Sequence, residues 1–211
     1  MHLSIFNAVP MFRDLQAKSP KCDTTRARVN LKDITRMARD FDEQNDRTPF
    51  GKEVPKPLNL TGVAFHESRC GSTLVANTLI GMNPSQHRVY SESPPPITAM
   101  KVCGERYESC TIDHAVEVLK DAIYMMSRTN DPQEQRVFFK IQSIGSRHIE
   151  VFRRAFPTTP WIYVYRDPVQ VRIHVKCLCD IQYLLWMMFC HYCSHNQQPL
   201  NHTPCSLLFR S

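Results

Sequence analysis

Ten residues, Phe65-His66-Glu67-Ser68-Arg69-Cys70-Gly71-Ser72-Thr73-Leu74, place a guanidinium, a glycine and two hydroxyls in the order an anion site needs. An apolar run precedes them and a helical pattern follows, so Gly71 falls in a tight turn and a helix begins at Ser72 or Thr73. Such a turn aims backbone N–H groups and the positive end of a helix at one point, which favours phosphate or sulfonate. Arg69 adds a charged fork just before the turn. Against the Walker A pattern GxxxxGK[ST], Gly71 and Thr73 fit, but His66 stands at the first glycine and Ser72 at the lysine. The lysine that ATP hydrolysis needs is therefore absent from the loop. Three more residues carry usable chemistry: Glu92 in Tyr90-Ser91-Glu92-Ser93-Pro94, Lys140 in Val137-Phe138-Phe139-Lys140-Ile141, and Arg166 in Tyr163-Val164-Tyr165-Arg166-Asp167-Pro168.

These residues meet only if the right elements hold them. Leu60–Phe65 reads as a strand and Ser72–Met82 as a helix. Arg88–Ser91 reads as a second strand, stopped by Pro94-Pro95-Pro96. Asp113 is expected to cap a helix through Met126, with Val116, Leu119, Ile123 and Met126 inward. Arg136–Gln142 reads as a strand, Ser146–Phe156 as a helix and Trp161–Arg166 as a strand. Alternation of this kind predicts βαβ units, and so an α/β fold with a parallel sheet covered by helices on both faces. Glu92, Lys140 and Arg166 then fall at or near strand carboxyl ends, where open α/β sheets gather their ligands.

The 211 residues amount to one domain with extensions at roughly 150 residues per domain. With 42% hydrophobic and 22% charged residues the composition is that of globular protein. The net charge of +6 is a mild excess that suits a small anion and does not by itself call for nucleic acid. No run approaches the roughly eighteen apolar residues of a membrane span. Met1–Gln16 lacks the basic start and long apolar core of a signal peptide, so a cytoplasmic location is expected. The nine cysteines are odd in number and five of them (Cys177, Cys179, Cys190, Cys193, Cys205) crowd the end of the chain, which predicts free thiols.

Three segments follow. Residues 1–58 read as an N-terminal helical extension and Pro-rich linker. Its helix is expected over Leu31–Gln44, capped by Asn30, with Leu31, Ile34, Met37, Ala38 and Phe41 on one face. Residues 59–175 form the α/β domain. From Lys176 to Ser211 the composition breaks: one acidic residue, crowded Cys and His, and no period. That tail reads either as an extension or as sequence foreign to the fold, from an intron or a shifted frame, with the domain left incomplete. Cys177, Cys179, Cys190 and Cys193 with His191 and His195 match no common zinc spacing, so no metal is expected. His66, His87, His114 and His148 have no partner visible in the sequence and read as surface or capping residues.

The loop Ser68–Leu74 resembles the 5′-phosphosulfate loop of the sulfotransferase family, R/K-S-G-[ST]-T, and Arg166-Asp167-Pro168 resembles its 3′-phosphate motif. The Ser91-Glu92 and Lys140 spacings are similar to those of tyrosylprotein sulfotransferases. The resemblance covers roughly Leu60 to Val171. It implies a P-loop-type three-layer fold and 3′-phosphoadenosine 5′-phosphosulfate (PAPS) as donor to an acceptor hydroxyl, with no metal. By the same resemblance Glu92 is the general base, with Lys140 and Arg69 as charge stabilisers. Arg69, Cys70, Gly71, Ser72 and Thr73 bind the 5′-phosphate, and Arg166 the 3′-phosphate. Cys70 replaces the usual serine or glycine. His174 stands where the family has its 3′-phosphate serine. Two other readings stay open: a non-catalytic P-loop relic that binds an adenosine phosphate, and a P-loop nucleotide kinase.

Overall fold

The computed structural model describes residues 28–47 and 54–167. Those up to Arg166 lie in one compact unit. Helix α1 spans Leu31–Arg47 and is followed by the short strand β1, Lys56–Pro57. The long strand β2 (Asn59–His66) leads into α2 (Ser72–Met82), β3 (His87–Ser91) and α3 (Pro94–Met100). Then come α4 (Ile112–Ser127), β4 (Arg128–Thr129), β5 (Arg136–Lys140), a 3₁₀ turn (Ser143–His148), α5 (Ile149–Ala155) and β6 (Trp161–Val164). Four strands form a parallel sheet in the order β3-β5-β2-β6, while β1 and β4 make a small antiparallel pair. The α/β class and the parallel sheet are as the strand–helix alternation implies.

Side-chain parity sorts the sheet into two faces. Val63 and Phe65 of β2, Tyr90 of β3, and Val137 and Phe139 of β5 enter the larger core with residues of α3, α4 and α5. Phe65 meets Phe152 edge-on at 5.4 Å, and Tyr90 stacks on Phe139 at 5.0 Å. Full burial of each such ring stabilises the fold by roughly 1.5–3 kcal/mol. Val89 and Phe138 point the other way, onto Ala76 of α2, with Leu79 and Ile80 beside them. The sheet thus has helices on both faces. Helix α4 supplies most of the larger cover because Ala115, Val116, Leu119, Ala122 and Ile123 recur at helical spacing on one side.

Several expectations need correction. β3 ends at Ser91, ahead of Pro94-Pro95-Pro96 as expected, and those prolines open α3, because prolines in a first turn forfeit no helical hydrogen bond. The cap of α4 is Thr111, whose hydroxyl accepts from the His114 N–H at 3.3 Å, and not Asp113. The helix expected over Ser146–Phe156 is a 3₁₀ turn followed by α5. Gly145 lets that turn press on the end of β5, since a Cβ there would lie 2.4 Å from the Ile141 methyl. In α1 the inward stripe holds Thr35 and Asp42, while Met37 and Phe41 are exposed. A polar seam explains the rotation: Asp42 pairs with Arg128 and accepts from the Tyr124 hydroxyl, and Arg39 reaches Asp121 at 3.2 Å. Burial and the Asp42 carboxylate push the Tyr124 phenol up to about 12. The thiols are not all free, because Cys103 and Cys110 form a disulfide across the α3–α4 loop. That loop turns back through Gly104 and Tyr107, both at positive φ, and brings the two Cα atoms to 4.8 Å. The tail from Lys176 onward, with its cysteines and histidines, falls outside the described residues.

A buried ion pair ties β4 to β3. Arg88 pairs with Glu134 and donates to the Arg128 carbonyl at 2.9 Å and the Thr129 hydroxyl at 2.8 Å, and that hydroxyl donates to Glu134 at 2.7 Å. Removing one partner strands the other charge, so Glu134→Ala is expected to lose about 3–5 kcal/mol of stability. Urea unfolding checks this, and the double change Arg88→Met with Glu134→Leu should recover most of the loss.

Candidate functional site

The loop after β2 has the geometry its residue types suggest. Arg69 lies at φ 62° and Gly71 at φ 89°, both left-handed, and α2 begins directly at Ser72. A side chain pays about 1–2 kcal/mol for this conformation, which glycine avoids. A Cβ added at Gly71 would find nothing within 4 Å, so conformation rather than crowding selects glycine there. No side chain caps α2, which leaves the first N–H groups of this eleven-residue helix facing the turn. Ser72 is buried, Thr73 and Arg69 are exposed, and Cys70 is a half-buried free thiol.

At the carboxyl edge of the sheet three side chains from three strands converge. Ser91 and Lys140 are register partners across β3 and β5, and Ala64 of β2 faces Lys140 on the other side. Lys140 is 1% exposed, so it does not snorkel out of the sheet. Its ammonium binds the Glu92 carboxylate directly and lies 3.4 Å from the Ser91 hydroxyl. Glu92 turns back at φ 55°, with its N–H donating to the Lys140 carbonyl at 2.8 Å and its own carbonyl accepting from Gln142 at 3.0 Å. Non-glycine residues hold such a conformation only where their surroundings enforce it.

His66, the last residue of β2, joins this pair. Its Nε2 lies 3.5 Å from Glu92 Oε1 and its Nδ1 2.8 Å from the Glu67 carbonyl oxygen. The 3₁₀ turn holds the strand end from beyond, with the Ser146 hydroxyl donating to the His66 carbonyl at 3.2 Å. Burial pulls the imidazole below its ordinary value; the Lys140 charge acts in the same sense, and the Glu92 carboxylate opposes both. His66 and His87 are buried, against the expectation of surface or capping positions, and His148 stands at the N-cap position of α5, buried and without a side-chain capping bond. For His66 one signal was available: it follows Ala64 in the alternation of a strand whose end carries the loop.

Arg166 lies two residues past Val164, which is the register partner of His66 across β6 and β2. It is exposed, and it stands at the same end of the sheet, just past β6, the strand next to β2. Of the residues expected to form the site, Glu92 and Lys140 are in contact, while Arg69 and Arg166 sit on the loops that leave adjacent strands. His174 falls outside the described residues. An apolar cavity of about 190 Å³ opens elsewhere, along β2 and β6, lined by Gly62, Ala64, Leu79, Phe138 and Trp161, and it contains none of these charged groups. No family model, no curated protein and no solved structure matches the chain.

The buried histidine predicts a pH dependence of stability. The unfolded chain protonates His66 near pH 6.5, whereas the folded state keeps the ring neutral to lower pH. The unfolded state then binds more protons, so stability rises with pH. The contribution of His66 is whole above that value and is lost as pH falls toward the lower folded one. His66→Asn, which keeps an N–H for the Glu67 carbonyl, should narrow the gap between urea midpoints at about pH 7.5 and about pH 5.5. An undiminished gap would exclude a buried neutral ring.

Proposed function

We propose that this chain has a P-loop-type fold and a sulfotransferase-type site that moves a sulfuryl group from PAPS to an acceptor hydroxyl. One observation carries the proposal: a buried lysine and a strained glutamate pair directly, at the sheet end where the left-handed Arg69–Gly71 turn opens α2. A general base, a cation and an anion cradle are what sulfuryl transfer asks of a protein. In this proposal the N–H groups of Gly71 to Thr73 and the Arg69 guanidinium hold the 5′-phosphosulfate, and Arg166 takes the 3′-phosphate.

The chemistry then follows from charge. The acceptor oxygen attacks sulfur and forms a new S–O bond, its proton passes to Glu92, and the bond from sulfur to the bridging phosphate oxygen breaks with its electron pair on the phosphate. Lys140 has three N–H donors. Two point at Glu92 and Ser91, and this proposal gives the third to the sulfonate or the leaving oxygen.

Calorimetry with adenosine 3′,5′-bisphosphate, with ATP as control, tests the cradle. Arg69→Ala should lose a charge-assisted bond worth about 1.5–3 kcal/mol, a drop in affinity of roughly 10- to 150-fold; equal affinity in both proteins refutes the role. Glu92→Gln should still bind the bisphosphate, while transfer from PAPS falls by about 10²–10⁴-fold, the usual loss for a general base.

A further inference from the structure

The protonation of His66 can be read from its neighbours. A carbonyl oxygen only accepts, so the 2.8 Å contact to Glu67 O requires the proton on Nδ1. In the neutral ring Nε2 is then a bare lone pair. That atom is buried without a hydrogen-bond partner among the described residues, and the side chain is 5% exposed. The atom it faces, 3.5 Å away, is Glu92 Oε1, also an acceptor. Oε1 already accepts from the Lys140 ammonium, so Nε2 is the atom of this contact left unsatisfied, where buried polar atoms are as a rule paired. What would complete the contact is one proton.

We infer that His66 and Glu92 form a proton-sharing pair, in which His66 Nε2 takes up the proton that Glu92 receives from the acceptor hydroxyl. The inference rests on the sulfuryl-transfer proposal. The O–H bond of the acceptor breaks as its oxygen bonds to sulfur, and the proton moves to Glu92 Oε1 and on to Nε2. The ring becomes an imidazolium beside a restored carboxylate, and Glu92, 30% exposed, later returns the proton to solvent. His66 is a positioning and relay residue that touches no substrate. The groups that set its proton affinity come from three strands. They are the Glu67 carbonyl on its own loop, the Glu92 carboxylate after β3, and the Lys140 ammonium and Ile141 backbone at the end of β5.

Nitrogen-15 spectra of the histidine rings in the full chain test the pair without any acceptor, by following the ring signals as pH is lowered. In the parent, neutral His66 should carry its proton on Nδ1. Its titration should move to lower pH in Glu92→Gln, because the carboxylate that favours the imidazolium is gone. A ring that titrates alike in both proteins is uncoupled from Glu92, and that result overturns the relay. So does a resting proton on Nε2, which is read in the parent alone and does not depend on how the variant folds. Adding adenosine 3′,5′-bisphosphate separates the two levels. Bisphosphate binding with an uncoupled ring removes the relay and leaves the sulfuryl-transfer proposal standing. Failure to bind it removes that proposal and the relay with it, even where the ring and Glu92 prove coupled.

Discussion

A lysine at the end of the central strand β5 is sealed from water, and much of the carboxyl edge is arranged to make that tolerable. A buried ammonium with no partner costs several kcal/mol, and a well-placed carboxylate offsets that only with good geometry. Glu92 supplies the carboxylate by taking a left-handed conformation directly after β3. The backbone follows suit, since the Glu92 N–H binds the Lys140 carbonyl and Gln142 binds the Glu92 carbonyl. The pair also constrains register. Ser91 sits opposite Lys140, and a slip of one residue would turn Lys140 toward the large apolar core on the other face.

The strain at Arg69 and Glu92 lies on two loops at the same end of the sheet. Each bends a backbone that would otherwise run on, and each aims polar groups toward the space above the strand ends. The core below is ordinary by contrast: rings from β2, β3 and β5 packed against α4 and α5, with helix α2 on the far face. Rigidity there is what lets the edge hold unfavourable backbone angles. Helix α1 adds to it through Asp42, which draws Tyr124 and Arg128 together at the end of α4.

Much of the scaffold was legible in the sequence because parity and periodicity are local. β2, α2 and β3 begin and end within a residue or so of where the apolar pattern puts them. The failures came where a distant partner overrides local preference. Thr35 and Asp42 turn inward in α1 because of a polar seam on α4, and nothing near them in the chain announces Tyr124 or Arg128. Cysteine parity over a whole chain says nothing of one loop that folds back on itself, so the Cys103–Cys110 bond was not foreseen. Glu92 and Lys140 were recognisable one at a time as strand-end charges, but their contact spans 48 residues and depends on strand order. His66 was read as a misfit in the Walker pattern and as a surface or capping residue. Its role at the strand end needed the parity of β2 and the turn of Glu92 together.

Within the sulfuryl-transfer proposal, these placements give the resting site a balance of charge that changes during the reaction. At rest the Lys140 ammonium faces the Glu92 carboxylate, so the two nearly cancel as seen by an approaching anion. Attraction for the donor then falls to Arg69, Arg166 and the N-terminus of α2, on the outer loops. When Glu92 takes the acceptor proton it becomes neutral, and the charge on Lys140 is uncovered at the moment negative charge grows on the leaving phosphate. An interaction that strengthens only as the reaction proceeds lowers the barrier rather than merely tightening binding. Passing the proton on to His66 restores the carboxylate but leaves an imidazolium beside it, so the hold on the product anion loosens only when that proton returns to solvent. A pair lying wholly in bulk water would act this way only weakly, because screening would blunt the effect of the carboxylate on the lysine whatever its protonation state. The burial of Lys140 thus links the general base to the electrostatic stabiliser and makes two roles depend on one proton.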